Sequence, residues 1–194
     1  MERRRAALVT SLAAGAVLAL AALALLPAYA ALPAPPLRVR GHFVVEGRQG
    51  ADRQKFKLTI DRWSRPEDLR FLADVAHSSD TRRLWNEMRK LDDGGLQIDT
   101  GMRLAVMVAT LEETKFGTVI RVVGESPSPS PAAVHPYFAL ELHLDEAGTA
   151  ASGTFLRTAR VLFENGGAVV TEGAVDPYGP AEVEADTIEP VTKR

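Results

Sequence analysis

Apolar residues recur along this chain with two periods, and the switches between them mark its parts. From Val39 to Glu46, Val39, Phe43 and Val45 alternate with Arg40, His42 and Glu46, with Gly41 on the apolar side. Successive side chains of a strand point to opposite faces, so this alternation predicts a half-buried strand. A polar turn at Gly47–Arg53 leads to Phe56, Leu58 and Ile60, which alternate with Lys55, Lys57, Thr59 and Asp61. The two runs predict a hairpin.

The period then becomes helical. Leu69, Leu72, Ala73 and Ala76 form one apolar stripe, and Leu84, Trp85, Met88 and Leu91 form another. Ser64 with Glu67 three residues on reads as a capping box, and Pro66 falls in the first turn, where its missing N–H is harmless. His77-Ser78-Ser79 separates the helices, and Asp92-Asp93-Gly94-Gly95 reads as the turn that ends the second. The spacing predicts a helical hairpin at about 65–92, inserted after the second strand.

Alternation then returns. It predicts strands at Leu96–Thr100, Met102–Leu111, Thr118–Val123, Tyr137–Asp145, Ser152–Phe163 and Ala168–Val175, and a last one from Glu182. Turns fall at Glu112–Gly117, around Gly148, and at Asn165-Gly166, where both residues tolerate positive φ. Gly124–Pro136 is rich in Ser and Pro and reads as a surface loop. Short turns imply antiparallel neighbours, and such a sheet hides its edges by closing or stacking. The expected fold is mainly β: an antiparallel barrel of eight or nine strands, calycin-like, or a sandwich, with the helical pair over one side or end.

The N-terminus follows another rule. Arg3-Arg4-Arg5 precedes the uncharged run Ala6–Leu26, Pro27 breaks it, and Ala28-Tyr29-Ala30 offers a small-x-small exit. This is the layout of an export signal, expected to be cleaved after Ala30. Residues 31–36 then form a Pro-rich spacer and 37–194 a single β-rich domain. The run of 21 residues is long enough to span a bilayer, so an inner-membrane anchor at 6–26 is the alternative. Its alanine-rich composition, with Thr10, Ser11 and Gly15, favours release to the periplasm or beyond. The chain has no cysteine, which excludes a lipid tether, disulfides, thiol catalysis and thiolate metal sites. Without residues 1–30 it keeps 20 basic and 24 acidic side chains, a net of −4 that gives no reason to expect nucleic acid as partner. A membrane partner is expected only through an uncleaved signal segment.

Candidate chemistry is sparse. Glu141, His143 and Asp145 share the polar face of one strand, alternate residues about 7 Å apart, a spacing that lets a strand contribute ligands to a metal. The same pattern is that of a solvated strand face. Arg62 and Trp63 could form a ligand platform through a charged fork and a stacking ring. Equally, Asp61-Arg62-Trp63-Ser64 could be a helix start in which Ser64 caps and Trp63 covers a core edge. Trp85 is a third weak ligand candidate, placed where it would pack in the core or a lid. His42 sits on a strand face, and His77 and His135 in loops. The acidic pairs Asp92-Asp93 and Glu112-Glu113 fall in turns, where they are expected to be solvated. No nucleophile elbow, zinc-protease motif, P-loop or dinucleotide fingerprint is present, so no catalytic residue and no cofactor is indicated.

Three segments carry a resemblance: Phe43–Gly47 (Phe-Val-Val-Glu-Gly), Leu58–Ser64 (Leu-Thr-Ile-Asp-Arg-Trp-Ser) and Glu141–Gly148 (Glu-Leu-His-Leu-Asp-Glu-Ala-Gly). In this order behind a signal peptide, the chain resembles a group of uncharacterised secreted bacterial proteins with an Ile-Asp/Glu-Arg-Trp-Ser motif. The resemblance implies export but names no activity and no site residues. The expected function is a non-catalytic periplasmic or secreted binding domain for a small apolar or amphipathic ligand. The alternatives are an interaction module for a cell-envelope protein, and a metal-dependent or hydrolytic enzyme built on Glu141, His143 and Asp145.

Overall fold

A computed structural model of the chain describes residues 33–47, 50–78, 80–99, 101–126, 137–163, 169–173 and 180–191. The expected signal with Ala28 and Ala30, His135, the Asn165-Gly166 turn and most of the Ser/Pro-rich loop lie outside them. The elements run β1 (Leu37–Gly47), β2 (Gly50–Ile60), α1 (Pro66–His77), α2 (Thr81–Met88), β3 (Gly94–Ile98), β4 (Met102–Thr114), β5 (Gly117–Glu125), β6 (Tyr137–Leu144), β7 (Ala151–Phe163), β8 (Val169–Gly173) and β9 (Ala181–Pro190).

Eight strands close into a ring, β1-β2-β3-β4-β5-β6-β7-β9 and back to β1, each antiparallel to its neighbours. The seam is made by β7. Its first part lies between β6 and β9, and its last residues, Ala159–Phe163, pair with β8, which stands outside the ring. The expected barrel is therefore the one formed.

An eight-stranded ring encloses a space that side chains can just fill. Alternation delivers them: Leu37, Val39, Phe56, Leu58, Ile60, Leu96, Leu104, Val106, Ile120, Val122, Leu140, Leu142 and Val183 all point inward and are buried. Phenylalanines hold the centre. Phe43 stacks on Phe56 at 4.6 Å and on Phe155 at 4.3 Å between ring centroids, and Phe138 tilts against Phe155 at 5.9 Å.

The helices pack against the outer wall rather than across a barrel mouth. Leu69, Leu72, Ala73 and Val75 of α1 and Leu84 and Met88 of α2 bury against Met107, Val108, Val123, Tyr137, Val161 and Phe163. A register shift in β4 makes room for this. Val106 and Ala109 face inward, while Met107 and Val108 between them both turn out beneath the helices. A bulge of this kind adds one residue and re-aims its neighbours. Asp80 caps α2, accepting the Arg83 backbone N–H at 2.9 Å.

Three expected turns are shorter than the sequence pattern suggested. Polar Asp52–Lys55 pair with His42–Val45 as part of a ladder along the full length of β1, so β2 starts at Gly50. β4 continues to Thr114, leaving Lys115-Phe116 as the turn. Gly94 and Gly95 are not a turn but the start of β3, bonded to β2 and β4. A Cβ on Gly94 would lie 2.0 Å from the Thr59 carbonyl oxygen, so glycine there reflects close strand approach.

Phe155 touches both neighbours in the ring stack and is 1% exposed. Phe155→Ala is expected to destabilise the fold by about 3–5 kcal/mol, read as a lower urea midpoint followed by Trp fluorescence.

Candidate functional site

Two polar clusters interrupt the apolar plan. The first ties the helical insert to the barrel. Asp61-Arg62-Trp63-Ser64 leaves the end of β2, and the Asp61 N–H donates to the Asp93 carbonyl at 2.8 Å. The Arg62 Nε donates to Asp93 Oδ1 at 2.7 Å, and its Nη2 donates to the Leu91 carbonyl. The Ser64 hydroxyl donates to Asp93 Oδ2 and accepts the Ala109 N–H at 3.0 Å, while the Ser64 N–H donates to the Ala109 carbonyl at 2.8 Å.

This corrects two expectations. Ser64 does not cap α1, whose N-cap is Arg65 with no side-chain cap bond, because its hydroxyl is taken by Asp93 and β4. Nor is Asp93 a solvated turn acid: it is 1% exposed. Burial pushes its carboxyl above the ordinary range, against the Ser64 hydrogen bond and the Arg62 charge that pull it down. Arg62 is half exposed, so water weakens its share. Trp63 packs at the edge of the barrel core, as the structural reading of the motif expected.

The second cluster lies on the outer wall of β5 and β6. Arg121 is flanked by inward Ile120 and Val122, which forces its own side chain out. Its Nε donates to Glu141 Oε2 at 2.8 Å, and its Nη1 donates to Glu112. Glu141 reaches His143 through its other oxygen, 2.9 Å from Nε2. Glu112 is thus a strand residue in an ion pair rather than a solvated turn acid. Burial pushes the Glu141 carboxyl up, but hydrogen bonds and charge from Arg121 and His143 outweigh it and hold it below the ordinary range.

Beside this network, Ala139, Glu141, Thr154 and Leu156 line a shallow groove of about 210 Å³ along the β6–β7 seam. Thr154 lies directly across from Glu141. Glu141 and Thr154 supply its polar lining and Ala139 and Leu156 its apolar lining, and it opens to solvent.

The structure brings Glu141 and His143 together and gives Asp145 other work. Asp145 accepts the backbone N–H groups of Thr149 at 2.8 Å and Ala150 at 3.1 Å, closing the β6–β7 turn, and those bonds lower its pKa. Among the described residues, no group of three or more His, Asp or Glu is placed to hold a metal. Trp85 sits apart from Trp63, half-buried beside the helix cluster with the Arg89 guanidinium 4.5 Å from its ring. His42 faces Asp186 on β9 at 3.2 Å, and the His77 ring is bonded to the Ala73 carbonyl. Sequence reasoning missed Arg121 and the cross-strand role of Glu112. The available signal was one arginine inside the apolar run Val119–Val123.

No family model, no curated protein and no solved structure matches the chain.

Two measurements check these clusters. Ser64→Ala and Asp93→Ala should each cost about 1–3 kcal/mol, and the double variant clearly less than the sum in a denaturant cycle. The two acids should also respond to pH with opposite sign. Glu141, held low, stabilises above the ordinary carboxyl range and loses that contribution as pH falls through its folded value. Asp93, held high, is least unfavourable in acid, and its contribution falls as pH rises through its folded value. The stability gap between wild type and Glu141→Gln should therefore shrink in acid, and that between wild type and Asp93→Asn should shrink toward neutral pH.

Proposed function

We propose that the protein is an exported, non-catalytic binding module that holds a cell-envelope protein on its outer wall, at the β6–β7 groove. The filled interior carries this reading. A calycin-type ligand would lie where the Phe56–Phe43–Phe155–Phe138 stack lies, so binding moves to the surface. The groove, at about 210 Å³, is smaller than the ~300–1,000 Å³ that encloses a typical small ligand. It suits one inserted side chain of a partner, with Glu141 in its lining and Arg121 and His143 bonded to Glu141 beside it. Ala139 and Leu156 in its floor favour a second reading, an amphipathic small molecule lying across the seam. A metal-dependent enzyme would need His143 released from Glu141 and Asp145 from its turn.

Export itself rests on the Arg3–Ala30 layout. Placement in the periplasm or outside the cell follows from that layout.

A photo-crosslinking residue placed at exposed Thr154, in cells that make the protein, should give one discrete protein adduct. Glu141→Lys should abolish it, and the same probe at Lys57 on the opposite wall should give none. Equal labelling from both positions, or none from Thr154, would count against the reading.

A further inference from the structure

The β4–β5 turn displays an aromatic ring that the fold does not use. Phe116 is 85% exposed, and Phe71, at 46%, is its one companion among the large hydrophobics exposed in the described residues. The turn is built to hold it there. The Thr114 hydroxyl donates to the Gly117 carbonyl at 2.8 Å and accepts the Phe116 N–H at 3.2 Å. Gly117, at φ 123°, takes a conformation that side chains resist. The Lys115 ammonium lies 4.7 Å from the Phe116 ring centroid. An exposed ring on a hydrogen-bonded turn, with a cation beside it, suits a membrane interface, where the ring meets acyl chains and the ammonium meets phosphate.

Topology places this tip at one particular end. Leu37, Ile60, Gly94 and Val106 form one cross-strand row where the chain enters β1. β4 continues past that row to Thr114, so Lys115-Phe116 projects from the rim at which Leu37 opens β1. The ten residues from Pro27 to Pro36 reach at most about 35 Å when extended. A bilayer holding residues 6–26 would therefore lie within that reach of this rim.

We propose that Lys115-Phe116 is a bilayer-contact point, used while the chain still carries residues 6–26 and is held at a phospholipid surface. The inference rests on the anchored alternative of the export reading, with residues 6–26 retained, and is independent of the groove. The exposed acids Glu113 and Glu146 near the tip oppose attraction by anionic lipid alone, so ring insertion leads the contact.

The cysteine-free chain allows a direct test. Full-length Glu113→Cys and, as control, Ala51→Cys at the opposite end carry a polarity-sensitive fluorophore. Both are reconstituted into phosphatidylethanolamine/phosphatidylglycerol vesicles containing spin-labelled lipid. The chain should float with the vesicles. The label at 113 should shift to the blue and be quenched by the lipid, the label at 51 should do neither, and adding Phe116→Ser should reverse both changes. Failure to float, a label at 113 that stays in water, shielding without lipid quenching, or quenching unchanged by Phe116→Ser would each overturn the proposal. Loss of the Thr154 adduct with lipid quenching intact would instead remove the groove reading alone.

Discussion

Closing eight strands into a ring leaves a space that must be filled, and in this protein phenylalanine fills it. Phe43, stacked between Phe56 and Phe155, joins the β1–β2 hairpin to β7, a strand far along the chain. Those rings, with the aliphatic residues around them, account for why a short chain without disulfides can hold a closed barrel. They also dictate where function can sit. With the interior occupied, binding chemistry is left to the outer wall and the turns.

The outer wall shows how charge is handled once the core is fixed. Arg121 can face only outward, and Glu112 and Glu141 on the strands to either side meet it there. Exposed pairs of this kind add little stability singly, so the network matters more as a fixed rim beside the groove. Asp93 is different. Its burial is unfavourable for a carboxylate, and it is tolerated because the Ser64 hydroxyl, the Arg62 guanidinium and the Ala109 backbone bond its carboxyl, while Asp61 and Val106 bond its main chain. That knot anchors the start of the helical insert to β3 and β4, so the helices lie along the wall.

Much of the architecture was legible because period is a local property. Phe138, Leu140 and Leu142 against Glu141 and His143 identify β6 and its two faces without help from any other strand, and Pro66 marks the start of α1. Register is not local. That Arg121 stands between Glu112 and Glu141, or that β7 closes the ring against both β6 and β9, depends on strand pairing that no single segment encodes. Simple alternation in β4 puts Val108 on the inner face with Leu104 and Val106, and the bulge instead turns it out with Met107 beneath the helices. Asp93 was the least legible residue. An acid beside Asp92, Gly94 and Gly95 has the composition of a turn, and only the closeness of β2 at Thr59 makes it the edge of a buried strand.

The barrel interior is packed with side chains, and the proposed binding is therefore assigned to the outside. Methyl-selective NMR of the Leu, Val and Ile groups, titrated with a saturated fatty acid, tests it most directly. The account requires the signals of Leu58, Leu96 and Leu140 inside the barrel to stay fixed, whatever happens to Leu156 at the groove. Saturable shifts of those interior methyls would contradict it.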